Sequence, residues 1–114
     1  MPCLIFFTNV SLDGLDTSVI FSEATKVVAK FIGKPDSAMV VPQGSVPISY
    51  GVSEQPAAYG ELVSVGSPSP DVNKNMSAAV SSILETKSSI PKSRFFLKFY
   101  DSEGANFGWN GSTF

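Results

Sequence analysis

Residues 3–8, Cys3-Leu4-Ile5-Phe6-Phe7-Thr8, form an unbroken apolar and aromatic run that stops at Asn9 and the turn pair Asp13-Gly14. A run this short, bounded by turn residues, predicts a strand buried on both faces. The period then changes. Leu15, Val19, Ala24, Val27, Val28 and Phe31 recur at helical spacing, with Lys26 and Lys30 on the other side. Asp16 or Thr17 can cap the start of this helix, Gly33 suits its end, and Pro35 prevents continuation. A second strand is predicted around Ala38 to Val41, ended by Pro42 and Gly44, with Val46 to Tyr50 as a short edge piece.

The second half starts over. Ala57 to Val65 reads as a strand ending at Gly66. Ser69-Pro70-Asp71 is a helix start, with Ser69 as N-cap, Pro70 at the first position and Asp71 in the first turn. Val72, Met76, Ala79, Val80, Ile83 and Leu84 supply the apolar stripe, and Ser88-Ser89 and Pro91 close it. Arg94 to Tyr100 is the clearest strand, and Phe107 to Trp109 reads as one more short piece.

Laid on one another, the halves correspond at one constant offset. Pro35 to Met39 falls on Pro91 to Phe95, Pro2 falls on Ala58, and helix falls on helix. The chain therefore reads as tandem β-α-β pseudo-repeats, about 2–44 and 57–101, within a single domain spanning 1–114. Each crossover is long enough to make its strands parallel. The fold class expected is α+β: a two-layer arrangement of a four-stranded sheet with two helices on one face. Leu4, Phe6, Leu62, Phe96 and Phe99 all need cover, so the other sheet face calls for a cyclic oligomer.

Composition narrows the chemistry. A hydrophobic fraction of 43% against 16% charged residues is that of a packed domain, not of a disordered chain. A net charge of −2 without a basic block argues against nucleic-acid binding. The absence of histidine removes the usual metal ligand and the usual nucleophile activator, so no metal site is expected. With Cys3 as the one cysteine, no intrachain disulfide can form. No stretch reads as a signal peptide or a membrane span, and a cytoplasmic location is expected.

One chemical group stands out. Initiator methionine is normally removed before a small residue, which would leave Pro2 with a free secondary amine. An ordinary α-amino group titrates near ~7.7–8.0. An apolar pocket or nearby positive charge lowers that value, and a neutral amine is then available as a general base. The alternative is a proline that merely follows the start codon.

Met1-Pro2-Cys3-Leu4, Thr8-Asn9-Val10, Gly33-Lys34-Pro35, Ala57-Ala58-Tyr59, Ser64-Val65-Gly66, Phe99-Tyr100-Asp101 and the closing run Gly108-Trp109-Asn110-Gly111-Ser112-Thr113-Phe114 together carry a resemblance. End to end, the chain resembles the macrophage migration inhibitory factor and D-dopachrome tautomerase family, in particular its plant-type members. The resemblance implies a tautomerase fold, a homotrimer whose three sheets form a central barrel, and pockets at the subunit interfaces. It implies Pro2 as the base of a cofactor-independent keto–enol tautomerase, an isomerase acting on a small enolisable carboxylic acid of the phenylpyruvate type or another anionic ligand. Lys34 matches the family's pocket lysine, which binds a carboxylate or enolate oxygen. A lysine at a helix C-terminus also suits the dipole. Ser64 and Val65 match the pocket wall, and Phe107, Trp109 and Phe114 match an apolar lid.

Departures from the family pattern modify these expectations. Phe96 and Lys98 stand where animal members carry a tyrosine and an asparagine contributed by the neighbouring subunit. Phe96 lacks the hydroxyl, and Lys98 adds a cation if it enters the pocket and does not face solvent. Weakened phenylpyruvate-type activity is expected. Ala57 and Gly60 replace a C-x-x-C pair, so the associated oxidoreductase activity is expected to be absent. Cys3 is expected to be a buried core thiol. The alternative function is a cytokine-like signalling protein with a vestigial or ligand-sensing pocket and a receptor partner.

Overall fold

The computed structural model describes residues 2–66 and 69–114. The main sheet contains β1 (Cys3–Thr8), β2 (Met39–Gln43), β3 (Ala58–Val65) and β4 (Phe95–Ser102), in the spatial order β2-β1-β3-β4. Helix α1 (Thr17–Phe31) crosses between β1 and β2, and α2 (Pro70–Ser88) between β3 and β4. Both pairs so joined are parallel, and the halves meet through an antiparallel β1–β3 ladder.

Local chemistry explains the boundaries. The Asp16 side chain accepts the Ser18 amide at the start of α1, and the Ser69 side chain accepts that of Val72 at the start of α2. Gly33, at φ +86°, takes the left-handed conformation that closes α1, and Ser89 takes it after α2. The two helices pack on the same side of the sheet. Ile20, Ala24 and Val28 of α1 are buried, as are Met76, Val80 and Leu84 of α2. Under them lie Leu4, Phe6, Leu62 and Phe95. Full burial of a side chain of this size stabilises the fold by roughly 1.5–3 kcal/mol.

Several expectations are corrected. Pro42 lies inside β2, paired with Phe6, and does not end the strand. β2 is an edge strand, where a missing N–H on the outer side leaves no ladder bond unmade. Val46–Tyr50 forms no strand: Tyr50 bridges only to Ser53, in a local turn. In α1 the innermost apolar positions are Ile20, Ala24 and Val28, while Val19 is only half-buried.

The two sheet faces also sort differently from expectation. Leu4, Phe6 and Leu62 are buried beneath the helices, and Phe99 packs against that same core. Of the five residues expected to need outside cover, Phe96 is the one on the open face, 60% exposed. That face is built from cross-strand rows: Met39–Cys3–Val63–Tyr100, Val41–Ile5–Glu61–Lys98, and Gln43–Phe7–Tyr59–Phe96.

The chain closes with the two-stranded hairpin β5 (Gly108–Trp109) and β6 (Ser112–Thr113). Phe107 stands just before it. None of the helices in the described residues is long and apolar enough to cross a membrane.

Candidate functional site

Pro2 is buried at the start of β1, and its carbonyl accepts the amide of Met39 at 3.0 Å. That bond brings the entry to β2 alongside the amino-terminal residues. Just before it, Gly33 and Lys34 both take positive φ values, +86° and +59°. They reverse the chain into the 3-10 turn Pro35–Ser37, in which the Ser37 amide bonds to the Lys34 carbonyl at 3.2 Å.

An open cavity of about 470 Å³ lies against these residues. On one side are Pro2, Cys3, Asp36, Ser37, Ala38 and Met39. On the other are Phe107, Gly108, Trp109 and Phe114. The aromatic wall holds itself together: the Trp109 and Phe114 rings are 5.6 Å apart and nearly parallel, and Phe107 lies 5.6 Å from Phe114. The Phe114 amide bonds to the carbonyls of both Gly104 and Phe107. Such a cavity offers a flat apolar slot for a small planar molecule beside Pro2.

Of the expected site residues, Pro2, Phe107, Trp109 and Phe114 are therefore brought together. Five others are not. Lys34 is exposed and does not line the cavity. Ser64 is fully buried on the helix-facing side of β3, its hydroxyl without a hydrogen-bond partner among the described residues, and Val65 is half-buried. Phe96 lies on the open sheet face with its ring 5.3 Å from that of Tyr50. Lys98 is on the same face, its Nζ 4.9 Å from the Tyr100 ring centre. Within one chain neither reaches the Pro2 cavity.

Cys3 is not a core thiol. It is half-buried on the sheet face away from the helices and lines the cavity. Partial burial pushes its pKa up, so the thiol stays protonated and is a poor nucleophile. Met1, on whose removal the free amine depends, lies outside the described residues.

Sequence reasoning missed Asp36, Ser37, Ala38 and Met39. Their signal was the Gly33-Lys34-Pro35 break followed by a strand parallel to β1, which places the strand entry next to Pro2. It also missed the scaffold of the long loop 44–57. The Arg94 guanidinium donates to the carbonyls of Pro56 at 2.9 Å, Gln55 at 2.9 Å, Ser53 at 3.2 Å and Tyr50 at 3.5 Å. Asn9 secures the same loop from the other side, donating to Glu54 and Gln55 carbonyls and accepting the Ala57 amide at 2.9 Å.

Comparison with known proteins agrees with this architecture. The family described as "Macrophage migration inhibitory factor (MIF)" matches residues 1–114. A macrophage migration inhibitory factor homolog from Trichuris trichiura is 36% identical over 116 residues, covering all of both chains. The macrophage migration inhibitory factor of Xenopus laevis is 36% identical over 117 residues, covering 100% of this chain and 99% of that protein. The solved structure of the Trichinella spiralis macrophage migration inhibitory factor superposes with a TM-score of 0.90 at 32% identity, covering 98% of this chain and 99% of that one. With a matching sequence over its whole length and a matching fold, the chain belongs to the macrophage migration inhibitory factor family.

Proposed function

We propose that this family member is a cofactor-independent keto–enol tautomerase acting in the Pro2 cavity. The observation that carries the reading is the position of Pro2, buried yet lining a cavity whose opposite wall is a stack of aromatic rings. With Met1 removed, the Pro2 nitrogen is a secondary amine. Its lone pair takes a proton from the carbon next to the substrate carbonyl, the carbonyl oxygen becomes an enolate, and the proton returns to oxygen as the enol. Ketonisation runs the same steps backwards. An apolar surround disfavours the ammonium form and keeps the amine basic but unprotonated.

Lys34, at the start of the turn that lines the cavity, is the nearby cation proposed to meet developing negative charge on oxygen. Phe96 and Lys98, both on the open sheet face, are proposed to join the site from a neighbouring copy in an assembly. The open sheet face, with Ile5, Phe7, Val63 and Phe96 uncovered or half-covered, supports a homotrimer in which neighbouring sheets cover one another.

The test is ketonisation of enol phenylpyruvate by protein whose first residue is verified as Pro2. Turnover lost by at least a hundredfold in Pro2→Ala is expected, given a contribution of about 10²–10⁴ from a positioned base. Turnover unchanged in that variant overturns the mechanism. The signalling name carried by the relatives favours a second reading, a ligand-binding protein with a receptor partner. One extra residue before Pro2 separates the two, because it turns the amine into an amide and leaves the surface intact.

A further inference from the structure

We infer that Ser64 is a positioning residue for the Pro2 amine: its hydroxyl accepts the amine N–H from the helix side of the sheet, which leaves the nitrogen lone pair directed to the cavity. The inference rests on the proposed use of that cavity for tautomerisation.

The starting observation is a hydroxyl with nothing to bond. Ser64 has no exposed surface, and its Oγ has no hydrogen-bond partner among the described residues. Thr8, the other fully buried hydroxyl of the sheet, makes two bonds. Asp101, beside Ser64 on β4, is exposed and takes no bond from it. A polar group stranded in this way is costly, so a missing partner is the natural explanation.

The register points to that partner. Cys3 pairs with Val63 in the antiparallel β1–β3 ladder, so one step further sets Pro2 opposite Ser64. The Pro2 carbonyl bonds to Met39, which turns its main chain towards β2 and away from β3. Pro2 and Ser64 are therefore opposed as a non-hydrogen-bonded pair, the kind in which Cα atoms lie about 4.5 Å apart and side chains are closest. Both side chains are fully buried. In a chain that keeps Met1, the Pro2 nitrogen is a tertiary amide without a proton, and it has nothing to give Ser64. Removal of Met1 creates an N–H at the place where the hydroxyl lacks one.

The stereochemistry suits a base. A neutral secondary amine has one N–H and one lone pair, which exchange places by inversion at nitrogen. Cys3 and Met39 line the cavity from the open sheet face, whereas Ser64 lies on the helix face. A bond from the N–H to Ser64 Oγ selects the invertomer whose lone pair is free on the cavity side. When that lone pair takes the substrate proton, the ammonium keeps one N–H on Ser64 and returns the other.

Stability tests the contact without turnover. Protein beginning at Pro2 is compared with protein carrying one residue before it, each with and without Ser64→Ala. With the amine free, Ser64→Ala is expected to lower Tm, because it strands the N–H. With the nitrogen in an amide, loss of an unpartnered hydroxyl is expected to leave Tm unchanged or raise it. Equal shifts in the two forms overturn the inference. Titration of a carbon-13-labelled Pro2 ring by NMR is the second readout. An acceptor favours the ammonium form, so Ser64→Ala is expected to lower the Pro2 pKa, and coincident curves overturn the inference. Cys3, Lys34, Asp36 and Asp101 are common to both proteins and cancel in the comparison. With enol phenylpyruvate, kcat is expected to fall about tenfold in Ser64→Ala with KM little changed, the size of effect of one hydrogen bond to a charged group. An unchanged kcat overturns the positioning role. If Pro2→Ala turns over substrate normally, the tautomerase reading fails, while the Tm comparison and the titration still decide whether Ser64 holds the amine.

Discussion

Thr8 Oγ1 donates to the carbonyl of Ala57 at 2.8 Å and accepts the amide of Val10 at 3.1 Å, in a residue with no exposed surface. Thr8→Val keeps the shape and removes both bonds, leaving a carbonyl and an amide unpaired at the joint between β1 and β3. Urea unfolding is expected to report a loss of about 1–3 kcal/mol, the usual penalty for stranding buried polar groups. Nothing in the apolar run 3–8 announces that bond, because its partner stands 49 residues away. The amine proposed for Pro2 was legible for the opposite reason: the proposal depends on position in the chain and needs no partner residue. Asp36 was not. A lone aspartate after a proline reads as turn material, and only the left-handed backbone at Lys34 carries it to the cavity. Ser64 remains a buried hydroxyl without a hydrogen-bond partner among the described residues.

At the scale of elements, the repeat proved informative beyond strand and helix count. Leu4, Phe6 and Thr8 correspond to Gly60, Leu62 and Ser64, and all six are buried; Ile20, Ala24 and Val28 correspond to Met76, Val80 and Leu84, buried likewise. One pattern of inward positions thus runs through both halves. Periodicity failed where tertiary position overrides it: Pro42 is tolerated because β2 lies at the sheet edge. The carboxy-terminal segment supplies the aromatic wall of the cavity. A Cβ on Gly104 would stand 2.5 Å from the Phe114 carbonyl oxygen, a main-chain atom that cannot move aside cheaply. Gly104→Ala is therefore expected to displace Phe114 and loosen its stack on Trp109. Affinity for aromatic ligands should fall several-fold, and the tryptophan fluorescence maximum should change, with the overall fold retained, since overpacking typically costs about 1–3 kcal/mol. Unaltered fluorescence and affinity would show that the wall does not depend on that contact.

For the whole molecule, the open sheet face decides what remains. It carries Ile5, Phe7, Val41 and Val63 half-buried and Met39 and Phe96 exposed, with Glu61 and Lys98 opposite one another in the middle row. Glu61 accepts the Tyr59 hydroxyl at 3.0 Å, and Lys98 lies over Tyr100. Light scattering on the purified protein is expected to give the mass of three copies, and a monomer at micromolar concentration would sink the proposal that Phe96 and Lys98 join the Pro2 site. The sequence by itself determined the two β-α-β units, the starts and ends of their helices and the inward face of α2, because each rests on local conformational preference or on spacing along the chain. Which sheet face each apolar residue takes, the seat of Asp36 beside Pro2, and the gathering of Phe107, Trp109 and Phe114 into one wall were decided only by the tertiary structure. These depend on contacts between distant segments, whose geometry no local pattern encodes.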